Sequence, residues 1–381
     1  MKSVLTSLLA LSMIVPAGAE TVINVQKEGA DKVTVQLNVP KGTIYSSLAR
    51  NLDYSGVFIL SQNGAVKVSR DGEGRLVAEG NGHRVSLPAS SADEAAQLKA
   101  ARQFADALVA TYSKQKGFAT KPFVFISKNG QKEEVCTAYA DGLGVRRVTN
   151  DGKPAVGPRW ASATSVYYTG YLSGCPQIFE VNTETGSRQR KWAFKGLTTG
   201  AAPSPNGRDV AMILSVHGDP DLYLIDSHAG TWRRLTNTKG TTEGQPSWSP
   251  DGAKLAFVSD ATKRQHIYVM NPADKKAKRL TQQGTQNVDP DWGENGLIAY
   301  TTKRGGDRYI AIMSPESGDA QGRLVTKGGQ WEHPTWAPDG VHVLAESGGV
   351  LYLIDTREEG DEPKRILSLN GAKCITPSWS K

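Results

Sequence analysis

Few residues of this chain stand at spacings that support covalent chemistry. A zinc protease needs His-Glu-x-x-His, because imidazoles four residues apart share one helix face. The six histidines here are scattered and form no such run. A serine hydrolase needs a Gly-x-Ser-x-Gly elbow, and none occurs. The recurring Ser249-Pro250-Asp251-Gly252 has glycine directly after aspartate, so it is not the Ser-x-Asp-x-Gly-x-x-Trp box of sialidases. Cys136, Cys175 and Cys374 lack Cys-x-x-Cys spacing, which argues against zinc and thioredoxin-type chemistry. Their odd number leaves at least one thiol outside any intramolecular pair. Acidic residues such as Glu243, Asp289 and Glu332 could hold calcium through carboxylate oxygens. Trp192, Trp232 and Trp331 are the large aromatics available for stacking on a sugar. No residue is assigned a catalytic or metal-binding role, and no cofactor is expected.

The elements that position these residues come from a repeat. Pro246-Ser247-Trp248-Ser249-Pro250-Asp251-Gly252 returns as Pro334-Thr335-Trp336-Ala337-Pro338-Asp339-Gly340. Weaker copies end at Trp160, Trp292 and Trp379, and one copy has Pro203 in the tryptophan position. Positions 160, 203, 248, 292, 336 and 379 are separated by 43, 45, 44, 44 and 43 residues. Each unit continues with apolar strands, as in Leu222-Tyr-Leu-Ile-Asp226 and Leu351-Tyr-Leu-Ile-Asp355, and a strand ending in Leu-Thr. Four antiparallel strands in about 44 residues make a β-propeller blade. The tryptophan is expected to pack between neighbouring blades.

The last unit stops after its first strand, at Lys381. Three further strands precede the first tryptophan: Phe123-Val-Phe-Ile126, Glu134-Val-Cys-Thr-Ala138 and Val145-Arg-Arg-Val-Thr149. Both ends of the propeller therefore complete one blade, which removes free strand edges. The predicted class is mainly β: a six-bladed propeller over residues 121–381, preceded by a small α/β domain over residues 20–120. In that domain Val33–Leu37, Val57–Leu60, Val66–Val68 and Leu76–Ala78 suit strands, and Ile44–Leu52 suits a helix. Ser91–Lys116 reads as a longer helix, with a Ser91/Glu94 capping box and Gly117 to end it. Leu98, Ala101, Ala105, Leu108 and Tyr112 form its apolar stripe.

Residues 1–19 have the order of a secretory signal: Lys2, an apolar stretch from Val4 to Val15, Pro16 and the small triplet Ala17-Gly18-Ala19. Cleavage is expected after Ala19. The formal net charge of +7 is scattered without aromatic interleaving, and export argues against nucleic acid as a partner.

First strands of all blades run the same way, so the loops leading into them gather at one mouth of the central channel. Those loops carry Glu243, Asn287, Asp289, Trp331, Glu332, His333 and Lys373. Mixed charge with a tryptophan suits a protein-binding surface. Thr21-Val22-Ile23-Asn24-Val25 is short and β-prone beside the expected new terminus, and could add as a strand to a partner's sheet edge.

The chain resembles the TolB family, periplasmic propeller proteins of the Tol-Pal envelope system. The resemblance rests on the Trp-Ser-Pro-Asp-Gly turns, on Gly117-Phe-Ala-Thr-Lys-Pro-Phe-Val-Phe-Ile126, on Tyr139-Ala-Asp-Gly142 and on Ser47-Leu-Ala-Arg-Asn-Leu-Asp-Tyr-Ser-Gly56. It implies a monomeric, peripheral, non-enzymatic protein. It further implies that the channel mouth binds the peptidoglycan-associated lipoprotein Pal, and that residues 21–25 bind inner-membrane TolA. Outer-membrane integrity and cell division would be the processes served. The alternatives are a propeller hydrolase or lactonase with a metal at the mouth, and a glycan-binding propeller.

Overall fold

The computed structural model describes residues 32–89, 93–357 and 362–380. The expected signal and cleavage site, residues 21–25 and Ser91 lie outside them.

The N-terminal region opens with β1 (Val33–Leu37), α1 (Thr43–Tyr54) and β2 (Phe58–Leu60). It continues with β3 (Val66–Arg70), β4 (Leu76–Gly80), β5 (His83–Leu87) and α2 (Glu94–Ser113). The sheet order is β2-β1-β3-β4-β5. Both neighbours of β1 run parallel to it, which needs a crossover, and α1 supplies the one to β2. Val35, Leu48, Leu52, Val66, Val68, Phe104 and Leu108 form the core between the sheet and the two helices. Strand β5 has little apolar alternation and is absent from the sequence reading. The ends of α2 also differ from it. Asp93 caps the helix, its carboxylate accepting from the Ala96 amide at 2.7 Å. Lys114, in the left-handed region, terminates it. Gly117 serves instead as a close-approach point: a Cβ there would lie 2.1 Å from the Asp106 carboxylate. That carboxylate gathers the departing chain through Ala119 N, Thr120 N and Thr120 Oγ1, at 2.8, 2.9 and 2.6 Å.

Six four-stranded antiparallel sheets follow as a β-propeller. Their innermost strands are Ala155–Trp160, Thr198–Pro203, Glu243–Trp248, Gln286–Trp292, Trp331–Trp336 and Lys373–Trp379, taken below as blades one to six. Each touches the next, and Lys373–Trp379 touches Ala155–Trp160, so the ring is closed. In blade six Lys373–Trp379 pairs with Phe123–Asn129, which continues to Lys132–Ala138 and Arg146–Arg147. The outermost strand is shorter than Val145–Thr149, because Val148 N and Thr149 N both turn onto the Val135 carbonyl.

Tryptophans 248, 292, 336 and 379 are buried at the blade junctions. The Trp248 indole donates to the Ala202 carbonyl of the preceding blade at 2.9 Å, and Trp160 to Ser378 at 3.1 Å. The residues before Trp248, Trp292 and Trp336 form a second interlock. Ser247 accepts from Trp292 N at 3.0 Å, Asp291 from Trp336 N at 2.8 Å, and Thr335 from Trp379 N at 3.2 Å. In blade one that position is Arg159, whose side chain cannot accept.

The third strand of a blade runs parallel to the first, so the turn after Lys132–Ala138 lies at the tryptophan end of the ring. There Asp141 meets the N-terminal helices. Arg102 grips its carboxylate with two bonds of 2.9 Å, and Ser47 Oγ donates to it at 2.7 Å. Arg50 donates to the Asp141 carbonyl at 2.7 Å, and the Arg102 guanidinium lies 3.8 Å above the centre of the Tyr139 ring. Both charges are buried. The α/β region thus leaves the opposite mouth of the channel uncovered.

Removing one member of a buried pair strands the other charge. Asp141→Ala is expected to lower unfolding stability by about 3–5 kcal/mol. The Asp141→Leu/Arg102→Met double replacement should lose less than Asp141→Ala alone. Denaturant titration of the three proteins checks this, and a double variant at least as damaged as Asp141→Ala would refute it.

Candidate functional site

Each innermost strand carries a β-bulge three residues before the tryptophan position, where two residues lie unpaired opposite the second strand. The first bulged residue has positive φ in every blade: Gly157, Gly200, Gln245, Asp289, His333 and Thr376. Proline follows it in every blade except the second. Glycine tolerates this conformation. Gln245, Asp289, His333 and Thr376, at φ 52°, 55°, 53° and 47°, hold it at a steric cost of about 1–3 kcal/mol each. All six residues line one cavity of about 370 Å³ on the propeller axis. Strain is therefore concentrated where side chains are aimed into the lumen.

The cavity has two chemically distinct sides. Glycines at 157 and 200 leave a wall built by Val156, Pro158, Leu197 and Ile213. The other side carries Glu243, Gln245, Asp289, His333 and Thr376. Towards the mouth a chamber of about 290 Å³ continues past Glu243, Gln245, Asp289, Arg308, Glu332 and His333. Inward, Arg159 of blade one reaches across the axis to Asp291 of blade four, 3.5 Å away. Beyond this pair lies a third chamber of about 560 Å³ at the tryptophan end.

Of the seven mouth residues expected on loops, all lie on innermost strands, and they divide into two groups. Glu243, Asp289, Glu332 and His333 converge on the channel. The Asp289 carboxylate accepts from Thr301 Oγ1 at 3.0 Å and His333 N at 3.3 Å, and is bonded by the Gln245 amide. Gln245 Oε1 accepts from Asp289 N at 2.9 Å. Glu332 pairs with Arg308. Glu243 is buried; its Oε1 accepts from Thr241 and Ser259 at 3.2 and 3.1 Å, while Oε2 has no hydrogen-bond partner. Burial raises the Glu243 pKa, with Asp221 adding to the rise and the hydroxyl donors opposing it. His333 lies 3.9 Å from Asp289 and 3.8 Å from Glu346. Burial would lower its pKa, but Asp289, Glu346 and Glu332 outweigh that and raise it.

Asn287, Trp331 and Lys373 do not join them. Asn287 is buried and donates to the Gln283 carbonyl at 2.8 Å, a bond that shapes the approach to its strand. Trp331 packs edge-on against Tyr352, ring centres 5.3 Å apart. Lys373 lies over Gly349 in a separate depression. Sequence reasoning missed Gln245, Thr376 and Arg159. The available signal was positional: Gln245 and Thr376 stand before the repeated proline, as Asp289 and His333 do.

Ligand atoms of Glu332, His333 and Glu346 lie within 4.8 Å of one another, a donor set of two carboxylates and an imidazole. Glu332 is already held by Arg308, and Glu346 accepts from Gly349 N at 2.6 Å. All three cysteines are free; burial pushes the Cys136 thiol up to about 12, so it is protonated and inert. No helix among the described residues is long and apolar enough to cross a membrane.

Comparison with known proteins agrees with this geometry. "Protein TolB homolog" of Chlorobium chlorochromatii (strain CaD3) is 31% identical over 233 residues, 58% of this chain and 51% of that protein. "Tol-Pal system protein TolB" of Helicobacter pylori (strain ATCC 700392 / 26695) is 24% identical over 206 residues, 52% of this chain and 49% of that protein. The chain spans about half the length of the curated relatives it matches. The crystal structure of TolB from Acinetobacter baumannii superposes with a TM-score of 0.76 at 20% identity, covering 91% of this chain and 96% of that one. The putative TolB from Agrobacterium tumefaciens gives 0.54 at 18% identity, over 66% and 91% of the two chains. These structural likenesses establish the fold. Residues 111–381 match the sequence profile of the TolB beta propeller domain family, which covers most of the chain and all of its blades, and the chain therefore belongs to the TolB β-propeller family.

Proposed function

We propose that the protein is a periplasmic, non-enzymatic binding component of a Tol-Pal type envelope system. Its uncovered channel mouth takes a Pal-like outer-membrane lipoprotein, and residues 21–25 engage a TolA-like inner-membrane protein. In this reading the chain is exported, cleaved after Ala19, monomeric and peripheral, and serves outer-membrane integrity and cell division. Family membership supports the system. One observation supports the mouth as the binding face: strained, polar residues converge there, on the face that the α/β region leaves free. The absence of enzymatic activity is supported by the use of the mouth carboxylates. Asp289 and Glu332 are already engaged, by Gln245 and Thr301 and by Arg308 respectively.

The Glu332–His333–Glu346 cluster favours a second reading, a propeller hydrolase with a metal at the mouth. Calcium titration separates the two. The binding reading expects no hydrolytic turnover of lactone or ester substrates with or without calcium.

Two further outcomes are expected. Charge reversal by Glu332→Lys or Asp289→Lys should weaken capture of the lipoprotein ectodomain at least tenfold in a titration. Circular dichroism must show the variants folded, and unchanged affinity in folded variants removes the mouth from the binding site. Affinity capture from envelope extract with a chain lacking residues 20–30 should lose the TolA-like partner alone. Retention of both partners, or loss of both, contradicts a two-site arrangement.

A further inference from the structure

The repeat leaves one of its own positions unfilled. Five blades end the innermost strand in tryptophan, at 160, 248, 292, 336 and 379, and blade two ends it in Pro203. Trp336 shows what that position does. It lies over Gly293, the residue after Trp292 in the preceding blade, where a Cβ would stand 2.7 Å from its ring. Trp248 and Trp160 also reach the preceding blade, through indole bonds to the Ala202 and Ser378 carbonyls. Each of those carbonyls belongs to the residue one place before that blade's own tryptophan position.

Burial registers the gap. The residue after the tryptophan position is buried in five blades, as Ser204, Ser249, Gly293, Ala337 and Ser380. In blade one it is Ala161, which is only partly buried, and the blade that would cover it supplies Pro203 instead. Trp160 is likewise partly exposed, whereas the other four tryptophans are at most 6% exposed. The gap opens into the 560 Å³ chamber at the tryptophan end of the channel. Trp160, Ala161 and Ala163 border it from blade one, and Ala202, Pro203 and Pro205 from blade two. No residue of the α/β region lines this chamber. That region is fastened under blades five and six, through Asp141, Lys364 and Arg365.

The five filled positions say what fits the sixth: a flat apolar ring with one N–H donor. By position its acceptor is the Arg159 carbonyl, the counterpart of Ala202 and Ser378. The chain holds no further aromatic to supply. Residues 1–31, 90–92, 358–361 and 381, outside the described ones, include no phenylalanine, tyrosine, tryptophan or histidine. Protein interiors leave few voids of this size, and a fitted pocket for one tryptophan is the common form of a binding hot spot.

We propose that a partner protein docks on the tryptophan face by inserting one tryptophan side chain into the open slot between blades one and two. The slot lies at the end of the channel opposite the mouth, so it is independent of the reading of the mouth as a binding face. It gives the ring a second face for a second protein.

The test uses the full chain and acetyl-Gly-(5-fluorotryptophan)-Gly-amide, followed by fluorine NMR. The probe should bind, and the unlabelled tryptophan peptide should displace it at least tenfold better than its leucine counterpart. Pro203→Trp restores the repeat from within and should cut probe affinity at least tenfold in protein shown folded by circular dichroism. Ala161→Leu narrows the slot from the blade-one side and should do the same, which keeps the test open should Pro203→Trp misfold. Absence of probe binding overturns the proposal, as does equal displacement by the leucine peptide. Unaltered affinity in a folded Pro203→Trp or Ala161→Leu protein overturns it also. Trp232, 42% exposed, is the tryptophan that a second copy of this chain has to offer. Self-association in sedimentation that both Trp232→Ala and Pro203→Trp abolish would give the slot to a second copy and overturn the assignment to a different protein.

Discussion

Closure of the ring is the constraint on which the rest depends. A six-bladed propeller has no single core: its apolar clusters span neighbouring sheets and bury their contents only if every sheet has a neighbour on both sides. Pairing of Lys373–Trp379 with Phe123–Asn129 meets that condition for the last blade. It joins residues separated by nearly the whole length of the propeller and leaves no innermost edge exposed. Ser247, Asp291 and Thr335 add a local link, through which blades three, four and five each hold the backbone of the next.

Closure also dictates the chemistry of the axis. Six innermost strands approach one axis, where their side chains crowd into a small volume. A bulge in each strand relieves the crowding and re-aims one residue into the lumen. Where that residue is glycine the wall is open and apolar; where it is glutamine, aspartate, histidine or threonine the lumen becomes polar. The asymmetry between blades one and two and the other four thus follows from six residue choices on an otherwise repetitive frame. Arg159 belongs to the same logic. Standing where blades three, four and five carry a hydroxyl or carboxylate that grips the next blade, it crosses the lumen to Asp291 and divides the channel.

The α/β region uses a different kind of contact. Its link to the propeller is polar and buried, centred on Asp141 with Arg102, Ser47 and Arg50. Such a network is unforgiving of misplacement, because each displaced member leaves a buried group unsatisfied. It fixes the α/β region on the tryptophan face and so determines which mouth stays open.

The sequence by itself determined the number of blades, their spacing and the sharing of the last blade by distant segments, because these are written in a one-dimensional period and in strand-length apolar runs. It also marked Tyr139-Ala-Asp-Gly142 as a distinctive turn, though not as the seat of the latch. Helix ends were less legible: Asp93 and Lys114 cap α2, while Gly117 lies against the Asp106 carboxylate. Only the tertiary structure decided which polar residues form the site. Gln245, Asp289 and His333 stand 44 residues apart in succession and meet only once the ring has closed. Their left-handed backbone is no intrinsic preference of glutamine, aspartate or histidine; the bulge imposes it. Asn287, Trp331 and Lys373, close to these residues in sequence, are held elsewhere by contacts that only the folded chain supplies: the Gln283 carbonyl, the Tyr352 ring and Gly349.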